Sequence, residues 1–332
     1  MEAVATQMNI RWLSEPDAEP VLVKANQKEL VRTELPFRQG AGHGWIEMLD
    51  LALGMHLCRV VHHFEPGEAN LQPMSEVVTE LTEPLLFVQT ARRGRGVLHD
   101  RRLDVRLAHD PGVCIFQHMD RIDHQHWADT SATVEVTALG IRTSKLSRSL
   151  GEPIVGSLFE ALGLTLLPSA SVRAVPKHVT GILQSCFADH LAGNLRKLHA
   201  QAKVLDFIVA LADHLAGETR EESRKLRSIR RLREELDQLE GAVPCLDELV
   251  KRYGLSERLM NELFKREYGQ SIYAYVTDRR LEAAHAAVQS TGTPLKVLAA
   301  RLGYSSVSHF SNAFTKKFGY RPGSLRRGKS GR

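Results

Sequence analysis

At 332 residues and 43% apolar composition, the chain is long enough for two ordinary domains with buried cores, and no uninterrupted apolar run could span a bilayer. Residues 1–26 lack a basic segment followed by an apolar one, so no signal peptide is read there, and four well-separated cysteines (Cys58, Cys114, Cys186, Cys245) are expected to be reduced thiols in a cytoplasmic protein. The net charge of +5 divides unevenly: residues 220–332 hold 23 Lys+Arg against 13 Asp+Glu, a local +10, and the rest hold 21 against 26, a local −5. A basic third joined to a mildly acidic remainder is the footprint of a nucleic-acid module attached to something else.

Residues 1–152 read as β-rich. Short apolar runs (Leu51–Val61, Pro84–Thr90, Asp110–Phe116, Ala132–Ile141) are separated by Gly, Pro and Asp, and the last of them alternates in period two. The expected fold is α+β: an N-terminal barrel or cupin-like sheet with helices, whose mouth is a common place for a small ligand, followed by an all-helical C-terminal domain. Nine histidines fall in the β-rich part: His43, His56, His62, His63, His99, His109, His118, His124 and His126. His124-Gln-His126 could begin a metal site, but Thr130 and Ser131 stand where a carboxylate ligand is needed, so neither metal nor other cofactor is predicted. A metal-dependent barrel enzyme therefore lacks its ligand set, and no nucleophile–base signature or phosphate loop occurs elsewhere. Arg92, Arg93 and Arg95, interleaved with Gly94 and Gly96, read as a hairpin tip rather than an anion site.

Residues 153–216 switch to helical periodicity. Leu191, Leu195, Leu198, Ala202, Leu205, Val209 and Ala212 alternate steps of four and three, which suits either a dimerisation seam or a helix packed on its own sheet. The polar stretch 217–223 reads as a linker. From residue 224, Leu226, Ile229, Leu232, Leu236 and Leu239 mark one amphipathic helix, stopped by Gly241.

The last ninety or so residues repeat themselves. Leu249–Ser256 (LVKRYGLS) matches Leu298–Ser305 (LAARLGYS) at an offset of 49, and Phe264–Gly269 matches Phe314–Gly319 at an offset of 50. Each copy has a first helix (Leu246, Leu249, Val250, Tyr253; Leu295, Leu298, Ala299, Leu302). Each then has a glycine turn (Gly254; Gly303), an expected serine cap (Ser256; Ser305), and a second helix. The second helices bury Met260, Leu263, Phe264 and Tyr268 in one copy, and Val307, Phe310, Phe314 and Phe318 in the other. Thr293-Pro294 reads as a helix start with proline at its first position. These are two helix-turn-helix units, about 245–268 and 294–318, joined by one helix over Ser271–Ser290 that Gly292 ends. Two recognition helices held this way can enter successive major grooves on one face of double-stranded DNA, about 34 Å apart.

The tandem motif, with Gly303-Tyr304-Ser305, Phe310, Phe314, Gly319 and Pro322, resembles the AraC-type (AraC/XylS) transcription regulators over about residues 224–327. That family's closing Pro-x-x-Tyr-Arg here ends in Leu325-Arg326, which puts one packing contact in question. His190–Leu211 and the first motif also resemble the siderophore-regulator branch, of the pyochelin-regulator type. The resemblance implies a cytoplasmic, sequence-specific activator or repressor acting on promoter DNA with RNA polymerase. It further implies an N-terminal domain binding a small-molecule effector, a ferric siderophore in that branch, and helices forming a homodimer. An N-terminal domain that only oligomerises is the alternative. Family contact positions fall on Arg258, Asn261 and Glu262 in the first unit and on Ser308, Ser311 and Asn312 in the second, which are also the polar positions near the starts of the recognition helices. Arg258 suits guanine, Asn261 or Asn312 suits adenine, and Glu262 can accept from cytosine. Lys265, His309, Lys316 and Lys317 are expected at phosphates. With no arginine on the reading face of the second recognition helix before Phe314, the second unit is expected to anchor and the first to discriminate.

Overall fold

A computed structural model describes residues 7–13, 21–24, 30–35, 37, 41–65, 70–238, 246–290 and 293–324. The expectations resting on Leu239, Gly241, Cys245, Gly292, Leu325 and Arg326, and on the side chain of Leu246, lie outside the described residues. The chain divides into two compact units, Met1–Gly217 and Glu218–Arg332.

The first unit is built on one antiparallel sheet. Its central strands run in the order β3(Val31–Leu35), β4(Gly42–Leu51), β5(Met55–Phe64), β10(Val134–Arg142), β6(Leu71–Arg93), β9(Val113–Asp129), β7(Gly96–Asp100) and β8(Val105–His109). β1(Gln7–Trp12) pairs with β6 and with β2(Val21–Lys24), and β11(Ser169–Ala174) pairs with β9. Strand β6, 23 residues long, pairs with β1, β10 and β9, and a register shift against β9 between Glu80 and Leu85 lets it bend. Strand β10 shows why period two matters. Val134, Val136 and Ala138 line a cavity inside the curled sheet, while Leu139 and Ile141 join the core packed under helices.

That second core sets Leu57, Leu86, Val88, Phe116 and Leu139 of the sheet against α1(Thr143–Leu150), α2(Glu152–Leu162), α3(Lys177–Gln184) and the first half of α4(Gly193–Gln238). Three sequence expectations change here. Residues 169–174, expected in a helical stretch, form β11, whose partner at β9 lies some fifty residues away in sequence and leaves no local periodic signal. The turn carrying Arg92, Arg93 and Arg95 is not a hairpin tip, because β6 and β7 flank β9 instead of pairing with each other. Its glycine chemistry does hold: Gly94 has φ +70°, and a Cβ there would stand 2.6 Å from the Thr133 carbonyl oxygen. Arg95 is paired with Asp110 at 3.2 Å and Arg92 with Glu135 at 3.3 Å.

The third change concerns α4. Residues 217–223, read as a linker, are helical and continuous with both flanks, because Glu, Thr and Arg tolerate helix and nothing in the stretch stops one. Within the first unit, α4 has two apolar faces. Ala200, Val204, Phe207, Leu211 and Leu215 are buried against the sheet and the other helices. On the opposite side, Leu195, Leu198, Leu205 and Val209 are exposed, Leu198 at 65% and Val209 at 67%. The four-and-three seam read from sequence is this outward stripe, not the packed one.

The second unit contains α5(Leu246–Tyr253), α6(Glu257–Tyr268), α7(Ile272–Ser290), α8(Leu295–Arg301) and α9(Val307–Phe318). Two small cores hold it. Leu249, Met260, Phe264, Ile272 and Val276 pack with Ile229, Leu232 and Leu236 from the end of α4; Leu281, Ala284, Ala299, Phe310 and Phe314 form the other. Helix α7 contributes to both, so one helix carries the two units of the repeat. Phe264, Phe310 and Phe314 are fully buried, and truncating any one to alanine should cost about 3–5 kcal/mol. Among the described residues, no helix is long and apolar enough to cross a membrane.

Candidate nucleic-acid interface

Both turns follow the repeat. Gly254 and Gly303 adopt φ +66° and +75°, turning the chain out of α5 and α8 where a β-carbon would be strained. Ser256 caps α6, its Oγ accepting from Leu259 N at 3.4 Å. In the second copy the cap is Ser306, not Ser305: Ser306 Oγ accepts from His309 N at 3.1 Å. The extra residue that changes the offset from 49 to 50 lies between the glycine and the cap, so Ser306, at an offset of 50 from Ser256, takes the duty. Ser305 Oγ lies 3.1 Å from His309 Nδ1. Pro294 likewise stands at the cap of α8 with φ −56°, one place before the helix.

The candidate base-reading residues separate by what already holds them. Arg258 is 88% exposed, its guanidinium 2.8 Å from Glu262 Oε1 one turn on. That ion pair keeps two side chains of opposite hydrogen-bonding sense together at the surface. Asn261 is half-buried, and its Oδ1 accepts from Ile272 N at 3.3 Å. That oxygen accepts an orphan N–H in the first turn of α7 and so turns the carboxamide toward α7. At the same offset of 50 the second copy has Ser311 in place of Asn261 and Pro322 in place of Ile272. Proline has no N–H, so the second copy needs no acceptor there. Ser308 and Asn312 are exposed on α9, with Ser311 half-buried between them.

The phosphate candidates divide the same way. Lys265, His309 and Lys316 are exposed. Lys317 is not a free cation: its Nζ lies 2.6 Å from Asp278 Oδ1 and 3.2 Å from Glu282 Oε1, and donates to the Asp278 carbonyl oxygen at 3.0 Å. It ties α9 to α7. The reason is helical spacing, which turns residue 317 toward α7 and residue 316 away.

A second candidate site lies inside the sheet of the first unit. Its cavity, about 110 Å³, draws residues from β1 and from β3 through β10. His109 Nε2 is 2.8 Å from Gln89 Oε1, and His124 Nε2 is 3.1 Å from Gln117 Nε2, which donates to Asp100 at 2.8 Å. Trp12 and His62 also line the cavity, with ring centroids 5.3 Å apart. Burial, with His63 adding to it, pushes the His62 imidazole down to about 4; burial and His124 do the same to His109. His126 is held well below its ordinary value by burial and by the other histidines. His62, His109 and His126 therefore face the cavity as neutral imidazoles at neutral pH. Among the described residues, no group of three or more His, Cys, Asp or Glu is arranged to hold a metal ion. His62 stood in the sequence as one of nine histidines, and Trp12 gave no signal; only strand register identifies them as neighbours.

Comparison with known proteins agrees with the repeat. Residues 249–328 match the family described as Helix-turn-helix domain. The regulatory protein PchR of Pseudomonas aeruginosa is 31% identical over 116 residues, 33% of this chain and 39% of that protein. The HTH-type transcriptional regulator ExsA of the same organism is 30% identical over 84 residues, 25% of this chain and 30% of that one. The chain thus matches about a third of the length of these relatives. A solved structure, the C-terminal domain of AraT, a response regulator from Geobacillus stearothermophilus, is 28% identical, with 31% of this chain and 85% of that chain covered and a TM-score of 0.29. The C-terminal unit of this chain contains a helix-turn-helix domain over residues 249–328, similar in sequence to parts of known transcriptional regulators.

Proposed function

We propose that the chain is a sequence-specific DNA-binding transcription regulator that reads two successive major grooves of promoter DNA. The observation that carries this reading is the duplication: α5–α6 and α8–α9 share α7, and each second helix offers a polar, exposed start above a buried aromatic. The local charge of +10 supplies the electrostatic attraction to phosphate. The regulators matched over this unit support it by what their names say they do. In this reading Arg258 and Glu262 discriminate bases in the first groove, and Ser308, Ser311 and Asn312 make milder contacts in the second. Lys265, His309 and Lys316 meet phosphates, while Asn261 and Lys317 hold their helices in position. The regulator acts in the cytoplasm, as an activator working with RNA polymerase, and its β-domain takes a small-molecule effector in the cavity. No catalytic step is assigned to it.

Selecting bound duplexes from a random pool with the full chain would give the preferred site. Arg258→Ala should then lose discrimination at one base pair, by about 1–3 kcal/mol, with smaller losses elsewhere. An equal loss on every sequence would remove Arg258 from base reading.

The outward stripe of α4 supports a second element, a homodimer. Leu195, Leu198, Leu205 and Val209 repeat at heptad spacing and are exposed in the single chain. Leu198→Glu with Val209→Glu should give a monomer by sedimentation with an unchanged melting temperature. A wild-type monomer at micromolar concentration would refute it.

A further inference from the structure

Of the polar side chains around the cavity in the β-domain, some are paired and some are not. Gln89 serves His109, and Gln117 serves His124. By contrast, both ring nitrogens of His62 and the indole Nε1 of Trp12 are buried and have no partner among the described residues. His62 is 6% exposed and Trp12 2%. Leaving such groups dry and unpaired costs about 1–3 kcal/mol each, so an occupant that pairs them recovers that energy on binding. Much of the remaining wall is apolar, with Ile10, Ile46 and Val60 in it.

Charge narrows the occupant. Arg95 is the sole lining side chain among the described residues with a permanent charge, and Asp110 neutralises it at 3.2 Å. His62, His109 and His126 are held neutral by burial. A carboxylate or a ferric complex carrying net charge would be desolvated with no counter-charge to meet it. Size narrows it further. At roughly 10–15 Å³ of such space per water, 110 Å³ holds on the order of eight to ten atoms. A hydroxyl pairs two of these three groups: it donates to the unprotonated nitrogen of His62 and accepts from Trp12 Nε1–H. Around it, the rings of Trp12, Phe37 and Phe64 stand 5.3–6.0 Å from His62, an aromatic surrounding suited to a flat ring.

We propose that the cavity binds a small uncharged phenol, its hydroxyl held between His62 and Trp12 and its ring against the apolar walls. This rests on the effector-responsive reading above and replaces a ferric siderophore as the occupant.

The test titrates the full chain at neutral pH with para-ethylphenol, its methyl ether para-ethylanisole, para-ethylbenzoate and a ferric catecholate, reading melting temperature and calorimetric affinity. The phenol should bind saturably and raise the melting temperature. The ether, which cannot donate, should bind about tenfold more weakly, and the two anions should give no shift. His62→Phe and Trp12→Phe preserve ring volume, and each should shrink the phenol's advantage over the ether to about threefold or less. Equal binding of phenol and ether, tighter binding of either anion, or no binding by the phenol would each overturn the proposal. Affinity for the selected DNA, measured with and without saturating ligand, separates the two readings. A phenol that binds through His62 without changing DNA affinity keeps the ligand class and removes effector control. An anion that binds and changes DNA affinity does the reverse.

Discussion

Lys317→Ala should destabilise the C-terminal unit and leave the salt dependence of DNA binding unchanged, while Lys316→Ala should do the opposite. The two residues are adjacent and chemically identical, so the difference lies in geometry alone. Lys317 is 22% exposed and holds two carboxylates of α7 and one of its carbonyl oxygens. Exposed ion pairs contribute about 0.2–1 kcal/mol, and hydrogen bonds to charged groups about 1.5–3. A half-exposed pair of carboxylates partly rehydrates when the ammonium is removed, so a loss of about 1–2 kcal/mol is expected. In a unit of this size that lowers the melting temperature by about 5–10 °C. Lys316 is exposed, with no ion pair among the described residues, and its loss should leave the melting temperature unchanged. If it contacts one phosphate, its removal lowers the slope of log affinity against log salt by about 0.9, which over a fourfold change in salt is about 3.5-fold in affinity. Fluorescence anisotropy on the selected duplex between 50 and 200 mM salt gives the slope, and thermal denaturation of the same samples gives the stability. The reasoning fails if Lys317→Ala flattens the slope as much as Lys316→Ala does while melting like the wild type.

Two further outcomes follow from local chemistry. Ser306→Ala should cost about 1 kcal/mol through loss of the α9 cap, whereas Ser305→Ala should be near neutral; the reverse order in urea denaturation would place the cap at 305. The β-domain should lose stability as pH falls from about 6.5 to 4, because His62 and His109 are both depressed to about 4. The sign is fixed by proton count: in that window the unfolded chain binds protons that the folded chain refuses, so stability is fully present above the unfolded value of about 6.5 and declines below it. The loss is on the order of 3 kcal/mol per histidine, and flat unfolding free energies between pH 7 and 5 would refute it.

The C-terminal unit was largely legible in sequence because its information is local. Glycine at the end of a helix, a serine cap and a three-and-four apolar stripe all act within one or two turns, and their duplication doubled each signal. The second cap falls on Ser306 and not on Ser305 because the inserted residue precedes it and changes the offset from 49 to 50. The β-domain was legible only as a class. Strand β11 pairs with β9 across some fifty residues, and Trp12 approaches His62 only because β1 lies on β6 while β5 lies on β10. Nothing in the neighbourhood of residue 12 or 62 records that meeting. Helix α4 shows a subtler limit. Periodicity identified a seam of leucines, but the helix has two apolar faces, and only the packed sheet decides which one is left outside.

The pairing of Asn261 with Ile272, and of Ser311 with Pro322, offers a direct test of whether the two copies are tuned as wholes. In the first copy the carboxamide oxygen at 261 satisfies the N–H at 272, at 3.3 Å. In the second the donor is absent because residue 322 is proline, and a carboxamide at 311 would have nothing to serve there. Asn261→Ala should therefore cost about 1 kcal/mol of stability and weaken DNA binding evenly across sequences, since it loosens the packing of α6 on α7 instead of removing a base contact. Ser311→Asn alone should gain nothing. Pro322→Ile alone should cost stability by freeing the unfolded chain and by exposing an unpaired N–H. Ser311→Asn combined with Pro322→Ile should recover about 1 kcal/mol relative to the sum of the single changes. That coupling, measured by chemical denaturation of all four variants, would rebuild in the second copy the link that holds the first. Additivity within about 0.3 kcal/mol would mean that the Asn261 contact does not hold α7 and that its carboxamide is available to DNA after all.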